Sequence, residues 1–325
     1  MRAIVHHRFG EPSAVLTVID LPLPEPGPGQ VRVQTRLSPI HNHNLWTIRG
    51  IYGFKPTLPA QAGTEAVGVV DARGPGVDSP AIGQRVATGG TFGVWAEYFV
   101  ADVDELVPVG DRTSDEVAAQ LVSMPFSAIS LLESLDLAQE DWVVQNAANG
   151  TVGRLVAQLA AARGVNVAGL VRRSAAVDEL AVQGIGNIFA TDSPGWRSEL
   201  LATTAGGRIA VGVDSVGGEA SGQLVSVLSE NGVLVVFGGM QSPVMHVPSG
   251  DIMFKGITVT GFWSSQVRAR MDHHRRAALL TELGQHIDDG DLTLPVEATY
   301  GFDAVREATA ANAVAGRTGK VLLRP

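Results

Sequence analysis

Apolar and polar residues follow two rhythms along this chain, and the change falls near residue 120. Before it the apolar stretches are short. Arg2 to His6, Val15 to Ile19 and Gln30 to Leu37 alternate or run apolar, which predicts strands. Thr64 to Val70 and Gln84 to Thr88 predict two more, and Val94 to Val109 a further pair broken near Asp102. Between the second and third, LPLPEPGPGQ holds four prolines and reads as a rigid connector. Strands punctuated by Gly and Pro predict a β-barrel. Helical periodicity then runs from Ser114 through Leu135. From Asp141 strands and helices alternate, with strands at Asn187 to Thr191, Ile209 to Asp214, Val233 to Phe237 and Ile257 to Gly261. Such alternation predicts an α/β fold with a doubly wound parallel sheet. A helix over Arg268 to Ile287, another from Phe302 and a strand over Lys320 to Leu323 complete the pattern.

The most informative stretch is WVVQNAANGTVGRLVAQLAAARGVNVAGLVRR, residues 142–173. Trp142 to Ala147 is an apolar strand, Asn149-Gly150 a turn, and Val152, Leu155, Val156, Leu159 and Ala160 recur at helical spacing before Gly164. Asn166 to Val171 is the next strand, so this is one βαβ unit. Its turn carries Ala147-x-x-Gly150-x-x-Gly153, a variant of the dinucleotide fingerprint. Small residues let the backbone approach a pyrophosphate, and the free amides of Thr151, Val152 and Gly153 at the helix start suit its charge. An NAD site calls for an acid at the end of the second strand. This chain has Arg172 and Arg173, 19 and 20 residues after Gly153, and guanidinium groups suit a phosphate. The expected cofactor is NADPH.

Composition narrows the class. There are 24 Lys and Arg against 33 Asp and Glu, a net charge of −9, which argues against nucleic acid or an anionic membrane as the main partner. No run of about 18 apolar residues occurs, so no membrane-spanning helix is expected. The start, MRAIVHHRFG, reads as a strand and not as a signal peptide, which predicts a cytoplasmic protein. Cysteine is absent, which removes disulfides, thiolate zinc ligands and a thiol nucleophile together.

NAANGTVG followed by VRR resembles the medium-chain dehydrogenase/reductase superfamily, and within it the zinc-free branch of quinone oxidoreductases and mitochondrial-type trans-2-enoyl-thioester reductases. The start Asn146-Ala147-x-Asn149 is more similar to the enoyl reductases. The resemblance implies a GroES-like catalytic domain, residues 1–120 and 264–325, around an NADPH-binding Rossmann domain, residues 121–263. It also implies a homodimer. Zinc-dependent members carry Cys in the loop after the third strand and Gly-His-Glu further on. This chain has Ser38-Pro39-Ile40-His41 and Gly63-Thr64-Glu65 there, so no catalytic metal is expected.

The same resemblance supplies candidate site residues. Arg49-Gly50-Ile51-Tyr52-Gly53, then Leu58-Pro59-Ala60 and Gly63-x-Glu65, is similar to the enoyl-reductase run in which the tyrosine matching Tyr52 is the proposed proton donor. Hydride arriving at Cβ of an enoyl thioester leaves an enolate, which a positioned phenol can stabilise or protonate at Cα. The family segment PINPSD reads PIHNHN here, so Asn44 stands where the family has Asp and joins Tyr52 as a candidate catalytic position. For His41 and His43, metal binding, pocket polarity and loop structure are all open readings. In an extended segment the two rings would point apart. Ser127 and Phe237-Gly238-Gly239-Met240 match positions near the nicotinamide in relatives. Phe262 and Trp263, in GFWS, are either acyl-pocket wall or plain packing. Arg268, Arg270, His273, His274, Arg275 and Arg276 form a basic cluster: a solvated helix face, or a dock for coenzyme A phosphates or an acyl carrier protein. The expected activity is NADPH-dependent reduction of a polarised C=C bond in a small-molecule or acyl-thioester substrate. Quinone or enone reduction and a non-enzymatic binding role are the alternatives.

Overall fold

Antiparallel strands come first: β1 (Arg2–His6), β2 (Leu16–Asp20), β3 (Gln30–Pro39), β4 (Ala60–Gln61), β5 (Ala66–Arg73), β6 (Arg85–Thr88), β7 (Tyr98–Asp102) and β8 (Leu106–Pro108). Along β3 the alternation seen in sequence becomes burial, with Val31, Val33, Thr35 and Leu37 inside and Gln34 and Arg36 outside. The computed structural model describes every residue except Ala315. It divides into two compact units, Met1–Ser123 with Thr293–Pro325, and Met124–Leu292.

In the first unit a three-stranded sheet has the order β2-β1-β4. The late strands β15 (Val296–Gly301) and β16 (Lys320–Arg324) return to a second sheet, ordered β15-β16-β3-β5-β6-β8, with β7 paired along β3. Ile4, Leu16, Val33, Ile40, Trp95 and Phe302 share its core. Two details aim the site. Ile40 donates its amide to the Val321 carbonyl at 2.9 Å, which sets the start of β16 beside residues 40–44. Gly63 has φ +90°, and a Cβ there would lie 2.2 Å from Trp95, so only glycine lets the chain pass that ring into Thr64 and Glu65.

The second unit holds β9 (Trp142–Gln145), β10 (Asn166–Val171), β11 (Ile188–Ala190), β12 (Ile209–Asp214), β13 (Val233–Val236) and β14 (Thr258–Gly261). All pairings are parallel, in the order β11-β10-β9-β12-β13-β14. This is the doubly wound order of dinucleotide-binding folds, whose ligand crevice opens where the order reverses, here between β9 and β12.

Three sequence expectations need correction. The helix expected over Ser114 to Leu135 is two, Asp115–Ala118 and Met124–Ser134. Pro125 sits in the opening turn of the second, where its missing amide costs no helical bond. The helix expected over Arg268 to Ile287 is also two, Ser264–Arg270 and His273–Asp288, because the Asp272 side chain accepts from His274 and Arg275 amides and starts a new helix. Residues 264–292, expected with the barrel, belong to the second unit. There Arg163 grips Glu282 at 2.8 and 3.0 Å, and Arg275 pairs with Glu133.

Candidate functional site

In the second unit the turn after β9 is shaped by close contacts. Ala147 sits at φ 50°, an unusual conformation for a non-glycine residue. A Cβ on Gly153 would stand 2.6 Å from the Ala147 carbonyl and 2.8 Å from Ala148 Cα, so the helix can start here only with glycine. Gly150 is the N-cap of that helix, Thr151–Arg163, with no side-chain cap and no acid in the first turn. Its first amides are therefore directed at whatever lies over the turn, and no carboxylate competes with an anion. Arg172 and Arg173 follow β10, both exposed, and among the described residues no ion pair holds either of them. Beside them Ser174 gives its amide and hydroxyl to Asp192, at 3.2 and 2.7 Å. A helix start with uncapped amides and two exposed guanidinium groups at the end of the second strand fit NADPH.

The next two strand ends are tied to this turn. Asp214 is fully buried, and its carboxylate accepts from Asn146 Nδ2 at 2.7 Å, the Val216 and Gly217 amides, and Ser221 Oγ. Asn146 Oδ1 in turn accepts the Ser215 amide at 2.7 Å. The Phe237 and Gly238 amides both reach the Asp214 carbonyl, and the Met240 amide that of Ser215. A Cβ on Gly239 would fall 2.8 Å from the Ser242 carbonyl. Asn146, Phe237, Gly238 and Met240 thus belong to one hydrogen-bonded rim, against which Gly239 packs closely. Phe262 stacks on Phe237, centroids 5.6 Å apart, and Trp263 is the partly exposed N-cap of helix Ser264–Arg270. Ser127 is buried within helix Met124–Ser134.

The first unit holds a second polar cluster. Residues 42–49 form a helix, so His41 and His43 stack face to face at 5.0 Å and 18° instead of pointing apart as they would in an extended segment. The helix begins because Asn44 Oδ1 takes the His41 amide at 3.0 Å, in the manner of a capping box. It ends at Gly50, φ 76°, where a Cβ would strike the Phe9 ring at 2.8 Å. That turn delivers Tyr52 against His43, ring centroids 5.9 Å apart. Asn44 Nδ2 donates to Thr64 Oγ1 at 2.9 Å, and His43 Nε2 lies 2.9 Å from the same hydroxyl. His41 Nε2 lies 2.6 Å from Glu65 Oε2, while Glu65 Oε1 accepts the Val122 and Ser123 amides. The two imidazole Nε2 atoms are thereby committed to different partners. Among the described residues no group of three or more His, Cys, Asp or Glu side chains could hold a metal ion.

Burial, with the Lys320 ammonium adding to it, holds His41 well below the ordinary imidazole range; burial, then His41 and Lys320, does the same for His43. Both rings are neutral at neutral pH, so His41 donates Nε2–H to the Glu65 carboxylate. A depressed folded-state pKa means the unfolded chain binds the extra protons. The stability this contributes is complete above the unfolded value near 6.5 and is lost as pH falls below it. Thermal unfolding should therefore move to lower temperature between pH 7.5 and pH 5, and less so in His43→Asn. An unchanged midpoint, or an equal slope in both proteins, would contradict the neutral pair.

The profile of the family "Alcohol dehydrogenase GroES-like domain" matches residues 27–111, and that of "Zinc-binding dehydrogenase" residues 151–282. The mitochondrial enoyl-[acyl-carrier-protein] reductase of Bos taurus is 30% identical over 303 residues, 91% of this chain and 81% of the bovine protein. The chain belongs to the zinc-free medium-chain dehydrogenase/reductases, in the branch of enoyl reductases and quinone oxidoreductases. Among solved structures, a quinone oxidoreductase of Pseudomonas syringae is 26% identical with a TM-score of 0.89, covering 100% of this chain and 99% of that one. A mycobacterial protein complexed with NADPH is 25% identical with a TM-score of 0.88, covering 100% of both chains.

Within this superfamily the zinc-ligand positions here are chemically altered. Ser38 Oγ donates to the Glu65 carbonyl at 2.5 Å, and Thr64 presents a hydroxyl engaged by Asn44 and His43. Sequence reasoning missed Asp214, Ser221 and Lys320. An acid ending the otherwise apolar strand Ile209–Asp214 was the available signal for the first. Ser221 and Lys320 carry no local mark.

Proposed function

We propose that the chain is an NADPH-dependent reductase of a C=C bond polarised by a carbonyl, with a 2-enoyl thioester as substrate. The observation that carries this reading is Tyr52, set by the Gly50 turn beside a neutral His43. NADPH supplies a hydride when bound. Thr151, Val152 and Gly153 hold the pyrophosphate with their amides, and Arg172 with Arg173 takes the 2′-phosphate. The Asp214-anchored rim fixes the turn that faces the nicotinamide end. Addition at Cβ moves the C=C pair onto the thioester as an enolate. Tyr52 gives its phenolic proton to Cα, and water restores it. The bovine relative's name supports the thioester and the Pseudomonas relative's supports a quinone as runner-up. NADPH consumption with crotonyl-CoA and with a benzoquinone separates them. Oxidation with the quinone and none with crotonyl-CoA reverses the order.

For the carrier, exposed Arg270 and His274 suit an anionic group, whether coenzyme A phosphate or an acidic carrier protein. Arg275 is already paired with Glu133. Among the described residues no helix is long and apolar enough to cross a membrane.

We also propose a homodimer built on β14. That strand is the edge of the parallel sheet with all four residues exposed, and nearby Met253 and Phe254 are 68% and 79% exposed. An open strand edge beside exposed apolar side chains invites pairing with a second copy. Sedimentation should give twice the chain mass, and Phe254→Glu should shift it toward the monomer. A native monomer at tens of micromolar would exclude this interface.

A further inference from the structure

The two imidazoles of the first unit are not equivalent, and the hydrogen bonds around Thr64 say which nitrogen of His43 carries its proton. A backbone amide can only donate, so the His41 N–H at 3.0 Å fixes the Asn44 carbonyl oxygen toward itself. That leaves Asn44 Nδ2 facing Thr64, to which it donates at 2.9 Å. The Thr64 oxygen is thus an acceptor for Asn44, and its own proton needs a different acceptor. Thr64 is buried, and among the described residues its only other hydrogen-bonding neighbour is His43 Nε2 at 2.9 Å. A buried hydroxyl proton is rarely left unpaired. Thr64 therefore donates to Nε2, and a neutral ring then carries its hydrogen on Nδ1.

That Nδ1 makes no hydrogen bond to any described residue. It is also absent from the sealed, unpartnered buried atoms, which are Thr35 Oγ1, His41 Nδ1, Trp95 Nε1 and Asn312 Oδ1. His43 sits in the first turn of helix 42–49, half-buried, with its ring held by the His41 face on one side and in contact with Tyr52. The groups facing it are His41 at the cap of the same helix, Tyr52 beyond the helix, Thr64 two residues before β5 and the Lys320 ammonium at the head of β16. A pre-set N–H beside a proton-donating phenol has an evident use.

We propose that His43 is a second catalytic residue: its Nδ1–H binds the oxygen of the reacting carbonyl and stabilises the enolate while Tyr52 protonates carbon. This rests on the reading of the chain as a reductase of a carbonyl-polarised double bond. In that step the hydride adds to Cβ, the C=C pair becomes the enolate, and negative charge gathers on the oxygen that Nδ1–H faces. The Tyr52 O–H then breaks and the Cα–H bond forms. The histidine keeps its proton throughout. A neutral imidazole suits this work, because burial at a helix start keeps it from taking the proton meant for carbon. Asn44 gains a role as well. With Asp at that position the Thr64 proton would go to the carboxylate, His43 would have to donate through Nε2, and Nδ1 would face the substrate bare.

Nitrogen-15 imidazole spectra of the full-length protein test the tautomer without any turnover. At pH 7.5 the His43 signal, assigned by its loss in His43→Gln, should show protonated Nδ1 and unprotonated Nε2. Asn44→Asp should reverse it. A native Nε2–H tautomer overturns the proposal. For the chemistry, His43→Phe keeps an aromatic ring against His41 and removes the N–H. It should lower kcat with crotonyl-CoA about 10²–10³-fold with KM little changed, as loss of one oxyanion donor does. His43→Asn, whose amide can place an N–H near the same spot, should recover part of the loss. Full turnover in His43→Phe overturns the donor role. If the native protein reduces quinones and no enoyl thioester, the substrate reading fails. The same two variants measured on the quinone carbonyl then decide the role of His43.

Discussion

Tyr52→Phe lowers the turnover of crotonyl-CoA by about 10²–10⁴-fold and leaves NADPH affinity unchanged; this is the largest effect expected of any single atom in the protein. The substitution removes one oxygen and keeps the ring, so the packing against His43 survives. The turn that places the residue depends on Gly50 and Phe9, and neither contact involves the phenol. The cofactor contacts proposed above all lie in the other unit, 124–292, so dissociation of NADPH should not move. The loss should fall on kcat and kcat/KM together, because the proton is transferred only as the reaction proceeds. A quinone distinguishes this role from a packing role. Its reduced oxygens collect protons from water, so Tyr52→Phe should affect quinone reduction much less. Retention of full enoyl-thioester turnover by Tyr52→Phe removes the residue from the chemistry. Equal losses on both substrates would indicate a pocket wall instead of an acid.

Much of the second unit could be read before any coordinates. Ile209–Asp214 has the bounds its apolar run implies, since a strand covered on both faces stays apolar up to the acid that ends it. The glycine turn is legible for a related reason. Steric demands at Gly150 and Gly153 act on the residues themselves and need no partner elsewhere. The first unit hid its site because the decisive contacts are long-range or unconventional. Helix 42–49 starts at His41 with Asn44 in the returning position, and neither residue is part of the usual Ser/Thr-x-x-Glu/Gln signal. Once that helix is missed, the two imidazoles are set apart by an extended backbone that the chain does not adopt. Thr64 stood out only as a lost zinc ligand, although its hydroxyl joins Asn44 to His43. Asp214 meets Asn146 across 68 residues, a pairing set by strand order and invisible to local pattern. The placement of 264–292 likewise follows from contacts such as Arg163 with Glu282, which periodicity cannot reveal.

Arg172→Ala should raise the dissociation constant for NADPH roughly ten- to 150-fold and leave that for NADH nearly unchanged. Arg172 is the first residue beyond β10, the position from which a dinucleotide fold reaches the adenosine ribose. An acid there would bond the ribose hydroxyl and repel a phosphate; this chain offers two guanidinium groups. Among the described residues neither has an ion-pair partner, and the nearby Asp192 is occupied with the Ser174 amide and hydroxyl. A charge-assisted hydrogen bond contributes about 1.5–3 kcal/mol, which sets the fold-change given above. Because the bond is to the 2′-phosphate alone, the penalty should vanish for the cofactor that lacks it. Salt offers an independent reading: both side chains are exposed, so the NADPH preference should shrink as ionic strength rises. Arg173→Ala measured alongside assigns the larger share to one residue or divides it. Titration by cofactor fluorescence gives each constant directly. Equal affinity of the native protein for NADH and NADPH would remove the phosphate site from Arg172 and Arg173 altogether.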